Sequence, residues 1–147
     1  MQKFSFVFFL IICFYNVNAQ QNNNIVIGKV KTIESKVLNE KRDILIYTPD
    51  GISEKKRYPV VYLLDGYSHF HSVVGLLHRL SLTNLCPEMI VVGITNTNRT
   101  RDLTPTKANP DGKYLTEGMA ANSGGGAKFM SFIENELMPY IDSVSYT

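Results

Sequence analysis

"PVVYLLDGYSHFHSVVGLLHRL", residues 59–80, decides how this chain folds. Val60 to Leu64 is apolar without alternation, the pattern of a strand covered on both faces. The run stops at Asp65-Gly66, and two aromatics and two histidines follow. From about His71 the apolar spacing turns helical, with Val74, Leu77 and either Leu76 or Leu80 on one stripe. Strand, glycine turn and helix in that order open a β–α unit. In an open α/β sheet, ligands bind outside the carboxyl ends of the strands. A glycine there lets the backbone turn sharply and leaves a following N–H pointing into the crevice. Two such N–H groups stabilise the oxyanion that develops in acyl transfer. Asp-Gly is also an ordinary turn dipeptide, so the spacing alone leaves both readings open.

Upstream, "IVIGKVKTI" (25–33) and "RDILIYTP" (42–49) carry apolar residues spaced by two, as half-buried strands do. The "LNEKR" between them fits a short connection, which predicts a hairpin. Downstream, "MIVVGI" (89–94) is a second continuous apolar strand. Residues 95–127 form a long polar stretch, and loops of that length are more often functional than not. "KFMSFIENELMPYI" then places Phe129, Phe132, Ile133, Leu137, Tyr140 and Ile141 on one helical face, interrupted only by Pro139. Two strands followed by strand–helix–strand–loop–helix read as the opening half of an α/β domain with a mostly parallel sheet.

The first segment stands apart from this fold. Lys3, the apolar "FSFVFFLIICFY" and the small-residue site Val17-Asn18-Ala19 describe a signal peptide cleaved after Ala19. The expectation is an exported protein, periplasmic or secreted, with no membrane span after cleavage. Residues 20–35 are then a flexible leader and first strand, and 36–147 the domain. Cleavage leaves Cys86 as a lone cysteine, expected to pack as a small hydrophobe, so the core holds by burial and not by a disulfide. A formal charge of +2 over 147 residues argues against nucleic-acid binding.

Candidate chemistry gathers in two loops. His69, in the turn after Asp65-Gly66, is placed to line a pocket. His71, His69 and His78 lack a third ligand type at metal spacing, so no metal is expected. "NTNRTRDLTP" (96–105) brings Arg99, Arg101 and Asp102 to the same sheet edge, where Arg101 or Asp102 could brace the pocket. A solvated turn accounts for it equally well. Ser123, in "ANSGGGAKF", approximates the G-x-S-x-G elbow but has no strand before it, so it reads as a loop or capping residue ahead of a helix starting near Lys128.

Taken together, "RDILIYTPDG…RYPVVYLLDG", "PEMIVVGITNTNRTRDLTPT" and "SGGGAKFMSFIENELMPYID" resemble the amino-terminal half of the esterase D-like branch of the α/β-hydrolases. The resemblance runs from about Lys36 to Thr147. It implies an incomplete α/β-hydrolase fold: antiparallel strands, then parallel strands with flanking helices, lacking the strand that bears the nucleophile elbow. It implies that the Tyr67 N–H, just past Gly66, is half of an oxyanion hole, with Asp65, His69, Arg101 and Asp102 around a pocket for a small-molecule ester. The catalytic Ser, acid and His are not expected within these residues, because the family's chain order puts all three later. The expectation is a truncated or incomplete secreted serine esterase, inactive alone and needing no cofactor. Its competitor is a non-catalytic ligand-binding module derived from a hydrolase. Without the elbow strand, the 60–64 edge is bare and apolar, and self-association through it is expected.

Overall fold

The computed structural model describes residues 23–53, 56–109 and 116–145. The signal-peptide reading of residues 1–19 lies outside them. Four strands form one mixed sheet: β1 (Lys29–Ser35), β2 (Glu40–Tyr47), β3 (Val60–Leu63) and β4 (Ile90–Ile94), in the order β1-β2-β4-β3. The pairings β1–β2 and β2–β4 are antiparallel and β3–β4 is parallel, so the sheet is mixed and not mostly parallel. The hairpin is present, with Ser35 opposite Glu40 and a turn through Asn39 at φ 54. β1 starts at Lys29 rather than Ile25, because its register with β2 begins at the Lys29–Ile46 pair. Ile25 and Val26 lie beyond that pairing and are exposed.

β4 is the centre of the sheet, and every one of its residues is buried. Side chains alternate across a strand, so Ile90, Val92 and Ile94 face one layer of helix and Val91 faces the other. β3 differs from its sequence reading. All four of its residues are half-buried, because only β4 flanks it among the described residues.

Helix α1 (Gly66–Leu82) follows β3 and covers one face. Phe70, Val74 and Leu77, at i, i+4 and i+7, pack there with Leu45 and Val91. It begins five residues earlier than expected, so His69 lies in its first turn, exposed, and not in a loop. Phe70 explains the extension: a buried aromatic at this position anchors the first turn to the sheet.

The opposite face is covered by one helical run: α4 (Gly126–Phe132), a π-helical segment (Ile133–Leu137) and α5 (Met138–Ser145). Phe132, Leu137 and Ile141 are fully buried against Ile44, Ile90, Val92 and Ile94, each contributing about 1.5–3 kcal/mol by burial. Pro139 explains the π segment. It has no N–H to offer the Asn135 carbonyl and its ring would collide with it. The widened turn removes the conflict, and the Met138 N–H bonds to the Ile133 carbonyl five residues back. The same turn aims Glu136 at the hairpin. Its carboxylate accepts from Ser35 Oγ (2.5 Å) and from the N–H groups of Lys36 (2.9 Å) and Val37 (3.1 Å).

The long polar stretch is not structureless. It carries two short helices, α2 (Arg99–Asp102) and α3 (Glu117–Asn122), capped by the side chains of Asn98 and Thr116. At four and six residues they are too short to show a hydrophobic period, and only the caps betray them. The last helix starts at Gly126, slightly before the expected Lys128.

Candidate active site

The turn at the end of β3, with Gly93 of β4 beneath it, builds the site's floor. Asp65 takes the left-handed conformation (φ 53, ψ 44), which swings the chain from strand into helix within one residue. Gly66 then passes hard against β4: a Cβ there would lie 2.8 Å from the Gly93 carbonyl carbon and 3.0 Å from the Ile94 nitrogen and oxygen. Gly93 answers from β4, where a Cβ would meet Phe70 at 2.9 Å and Gly66 Cα at 3.4 Å. Two glycines thus let the helix start touch the central strand.

The consequence is at the amides. Gly66 and Tyr67 are the first two residues of α1, where a helix has no carbonyl of its own to bind. The Asp65 carbonyl accepts from Ser68 (2.9 Å) and His69 (3.2 Å), and the Asp65 side chain caps neither Gly66 nor Tyr67. Among the described residues neither N–H is held in a sheet ladder, since the β3–β4 pairing ends at Leu63–Gly93. The Tyr67 ring is exposed, and its hydroxyl donates to Asp43 Oδ2 at 3.4 Å. An electropositive pair of N–H groups with the helix dipole behind it can receive a developing negative oxygen.

Asp65 is engaged elsewhere. Its Oδ1 accepts from Arg99 Nε (2.8 Å) and Asn96 Nδ2 (2.5 Å), and its Oδ2 from Arg99 Nη2 (3.2 Å). The hydrogen bonds from Arg99, then Asn96, hold the carboxyl below the usual carboxylate range. Arg99 and Asn96 are therefore the residues of the 96–105 loop that reach the β3 turn, a pairing the sequence did not single out. The only signal was an arginine in a loop expected at the same edge.

Arg101 and Asp102 come together in a different arrangement, behind this loop. Arg101 makes a forked pair with Glu40 (2.9 and 3.0 Å) and its Nε donates to Asp102 Oδ1 at 2.7 Å. Arg42, fully buried, donates to Asp102 Oδ2 (2.7 Å), Thr97 Oγ1 (2.7 Å), the Thr95 carbonyl (3.3 Å) and Glu40. Its guanidinium also lies over the rings of Phe129 and Phe132, 5.2 and 5.7 Å from their centroids. Two cations and two anions alternate in a closed, neutral ring that ties β2 to α2. Burial alone would raise the Glu40 pKa, but hydrogen bonds from Arg101, Arg42 and Thr97 hold it at about 2. Asp102 also borders an apolar cavity of about 530 Å³ that runs from Leu64 past Leu103 to Phe129 and Ile133.

α2 is gripped on its far side by the glycine loop. The Gly125 N–H bonds to the Arg101 carbonyl (2.8 Å) and the Gly126 N–H to that of Thr104 (3.0 Å). A Cβ on Gly125 would fall 2.6 Å from Arg101 Cγ, so the run of glycines serves close packing. Ser123 ends α3, donating to the Ala120 carbonyl and accepting from the Ala108 N–H, both at 2.7 Å. His71 and His78 lie on α1, exposed, with His78 3.5 Å from the Tyr47 hydroxyl. Cys86 is half-buried, its Sγ 3.7 Å from the Leu77 carbonyl. Among the described residues no three His, Cys, Asp or Glu side chains gather as metal ligands, and no helix is long and apolar enough to cross a membrane.

A mixed sheet with helices on both faces, and free amides where the first parallel strand enters its helix, defines part of an α/β-hydrolase fold. Residues 35–147 match the Esterase family, described as Putative esterase, and the chain belongs to that family. It is similar to the IroE-like serine hydrolase of Shewanella oneidensis, with 41% identity and a TM-score of 0.73 over 82% of this chain and 39% of that one. The BES protein of Bacillus cereus shares the fold at 24% identity and a TM-score of 0.71, over 86% of this chain and 52% of that one. The uncharacterized protein YbbA of Bacillus subtilis is 29% identical over 102 residues, 69% of this chain and 39% of that protein. The chain thus spans well under two thirds of the length of these relatives.

Proposed function

We propose that this chain is the amino-terminal part of an exported serine esterase and supplies one half of its oxyanion hole. The observation that carries the reading is the pair of uncapped amides at Gly66 and Tyr67, held against β4 by two abutting glycines. In such an enzyme a serine attacks the ester carbonyl, a histidine takes the serine proton and returns it to the leaving alcohol, and the carbonyl oxygen becomes an oxyanion. The Tyr67 N–H donates to that oxygen, and the second donor follows the serine. The serine, acid and histidine come from outside these residues, and the chain by itself does not turn over esters. A small-molecule carboxylic ester is the substrate class: a simple acyl ester, a siderophore ester or a carbohydrate-linked one. No cofactor enters the scheme.

The outer side of β3, which no further strand covers among the described residues, adds a property of the chain on its own. Val60, Val61, Tyr62 and Leu63 carry no charge, whereas the opposite edge, β1, presents Lys29, Lys31 and Glu34 to solvent. Charged edges resist pairing and bare apolar ones invite it. The isolated chain self-associates through β3.

The test of function is a chimera joining this chain to the carboxy-terminal part of the Shewanella hydrolase, assayed on p-nitrophenyl butyrate. The expected result is hydrolysis that Tyr67→Phe keeps and Tyr67→Pro lowers by roughly 100-fold, since proline removes the N–H yet is tolerated in a first helical turn. A folded chimera without activity, or one indifferent to Tyr67→Pro, overturns the reading.

A further inference from the structure

Asp65 occupies the position from which an aspartate ordinarily caps a helix. At an N-cap, the side-chain oxygen accepts from the N–H two or three residues on, and the backbone is extended. Here the second of these, Ser68, is already bonded to the Asp65 carbonyl, while the first, Tyr67, is open. Asp65 also holds a left-handed backbone, which glycine adopts freely and aspartate or asparagine only occasionally. Released from Arg99, the carboxylate would turn to the Tyr67 N–H as an ordinary cap does, where it would place a fixed negative charge on the oxyanion's seat.

We infer that Arg99 and Asn96 act as a restraint that keeps Asp65 from capping its own helix, making Arg99 a positioning residue for the oxyanion amides. This rests on the esterase reading above. The restraint has the right chemistry: Arg99 holds both carboxylate oxygens and Asn96 shares one of them. Its forked geometry fixes direction as well as charge. It also has a rigid base. Arg99 opens α2, whose last two residues, Arg101 and Asp102, are locked to Glu40 and to buried Arg42, and whose Arg101 carbonyl is held by the glycine loop. Arg99 itself is largely exposed and supports no core contact, so its loss should leave the fold standing.

The test has two independent arms. In the purified chain, the Gly66 and Tyr67 amides are followed by NMR while pH is stepped from 7 to 2.5. His69, one turn on, acts on Asp65 through its charge, and Asp43 accepts from the Tyr67 hydroxyl, so the resonances of both are followed beside those of Asp65. In the wild type, the Tyr67 amide is expected to shift little with Asp65 ionisation. In Arg99→Ala it is expected to move strongly with it, as an amide bonded to a carboxylate does. In the chimera, Arg99→Ala is expected to lower ester hydrolysis about 100-fold, the scale of one lost oxyanion donor. Adding Asp65→Gly, which suits the left-handed backbone and carries no carboxylate, is expected to restore most of it. An Arg99→Ala amide that behaves as wild type, or a double variant no more active than the single one, overturns the inference. If the chimera is inactive throughout, the esterase reading fails, and the NMR arm still decides whether Asp65 is restrained.

Discussion

Glycine-to-alanine at two positions of α1 should have opposite signs. At Gly66, an added Cβ meets the Gly93 carbonyl carbon at 2.8 Å and the Ile94 nitrogen and oxygen at 3.0 Å. All three are backbone atoms of the central strand, so no side chain can rotate away and the helix start must lift. Overpacking of this kind costs about 1–3 kcal/mol, and with backbone on one side the upper half of that range is expected. At Gly75, nine residues along the same helix, an added Cβ has nothing within 4 Å. There alanine only removes backbone freedom from the unfolded chain and stabilises by about 0.5–1 kcal/mol. The two variants should differ by about 2.5–4 kcal/mol, or roughly 8–16 °C in Tm for a domain of this size. Circular-dichroism melts at one fixed protein concentration measure it, the concentration mattering because self-association shifts Tm. Equal melting temperatures would mean that the Gly66–Gly93 approach is not real, and the aim of the Tyr67 amide would lose its basis.

Other perturbations separate the remaining structural elements. Glu40 binds its proton less readily folded than unfolded, so its contribution to stability is complete above about pH 4.5 and fades as pH falls toward about 2. Urea midpoints taken between pH 6 and 2.5 should fall less steeply for Glu40→Gln than for wild type across that window, from a lower starting value. Glu136→Ala leaves Ser35 Oγ and the Lys36 and Val37 amides without their acceptor and should cost about 1–3 kcal/mol in urea unfolding. Hydrogen exchange should quicken first at the hairpin turn. Val61→Lys puts a charge on the outer side of β3, and sedimentation velocity should show the self-associated species giving way to monomer; an unchanged distribution would place the contact elsewhere.

Much of this architecture was legible because it rests on local periodicity. The alternation in residues 42–47, the unbroken apolar run of 90–94 and the helical stripe through Phe129, Phe132, Leu137 and Ile141 each report which face is covered. The misreadings share one cause: they concern elements whose form depends on a neighbour. Val60–Leu63 has the composition of a doubly covered strand, yet lies half-buried because only β4 flanks it among the described residues. His69 looked like a loop residue because its turn of helix is fixed by Phe70 entering the layer against Val91. The charges of "NRTRD" were visible but their partners were not. Arg101 and Asp102 pair with Glu40 and Arg42, some sixty residues away in sequence, and Arg99 crosses to Asp65.

By itself, the sequence determined the order of strands and helices, the abrupt stop at Asp65-Gly66 and the absence of a charge on the β3 edge, because each is written in side chains close together along the chain. Tertiary structure decided which way Asp65 faces, which arginine holds it and how closely Gly66 meets Gly93. Those depend on distances between segments brought together only when the sheet closes, and no local pattern encodes them.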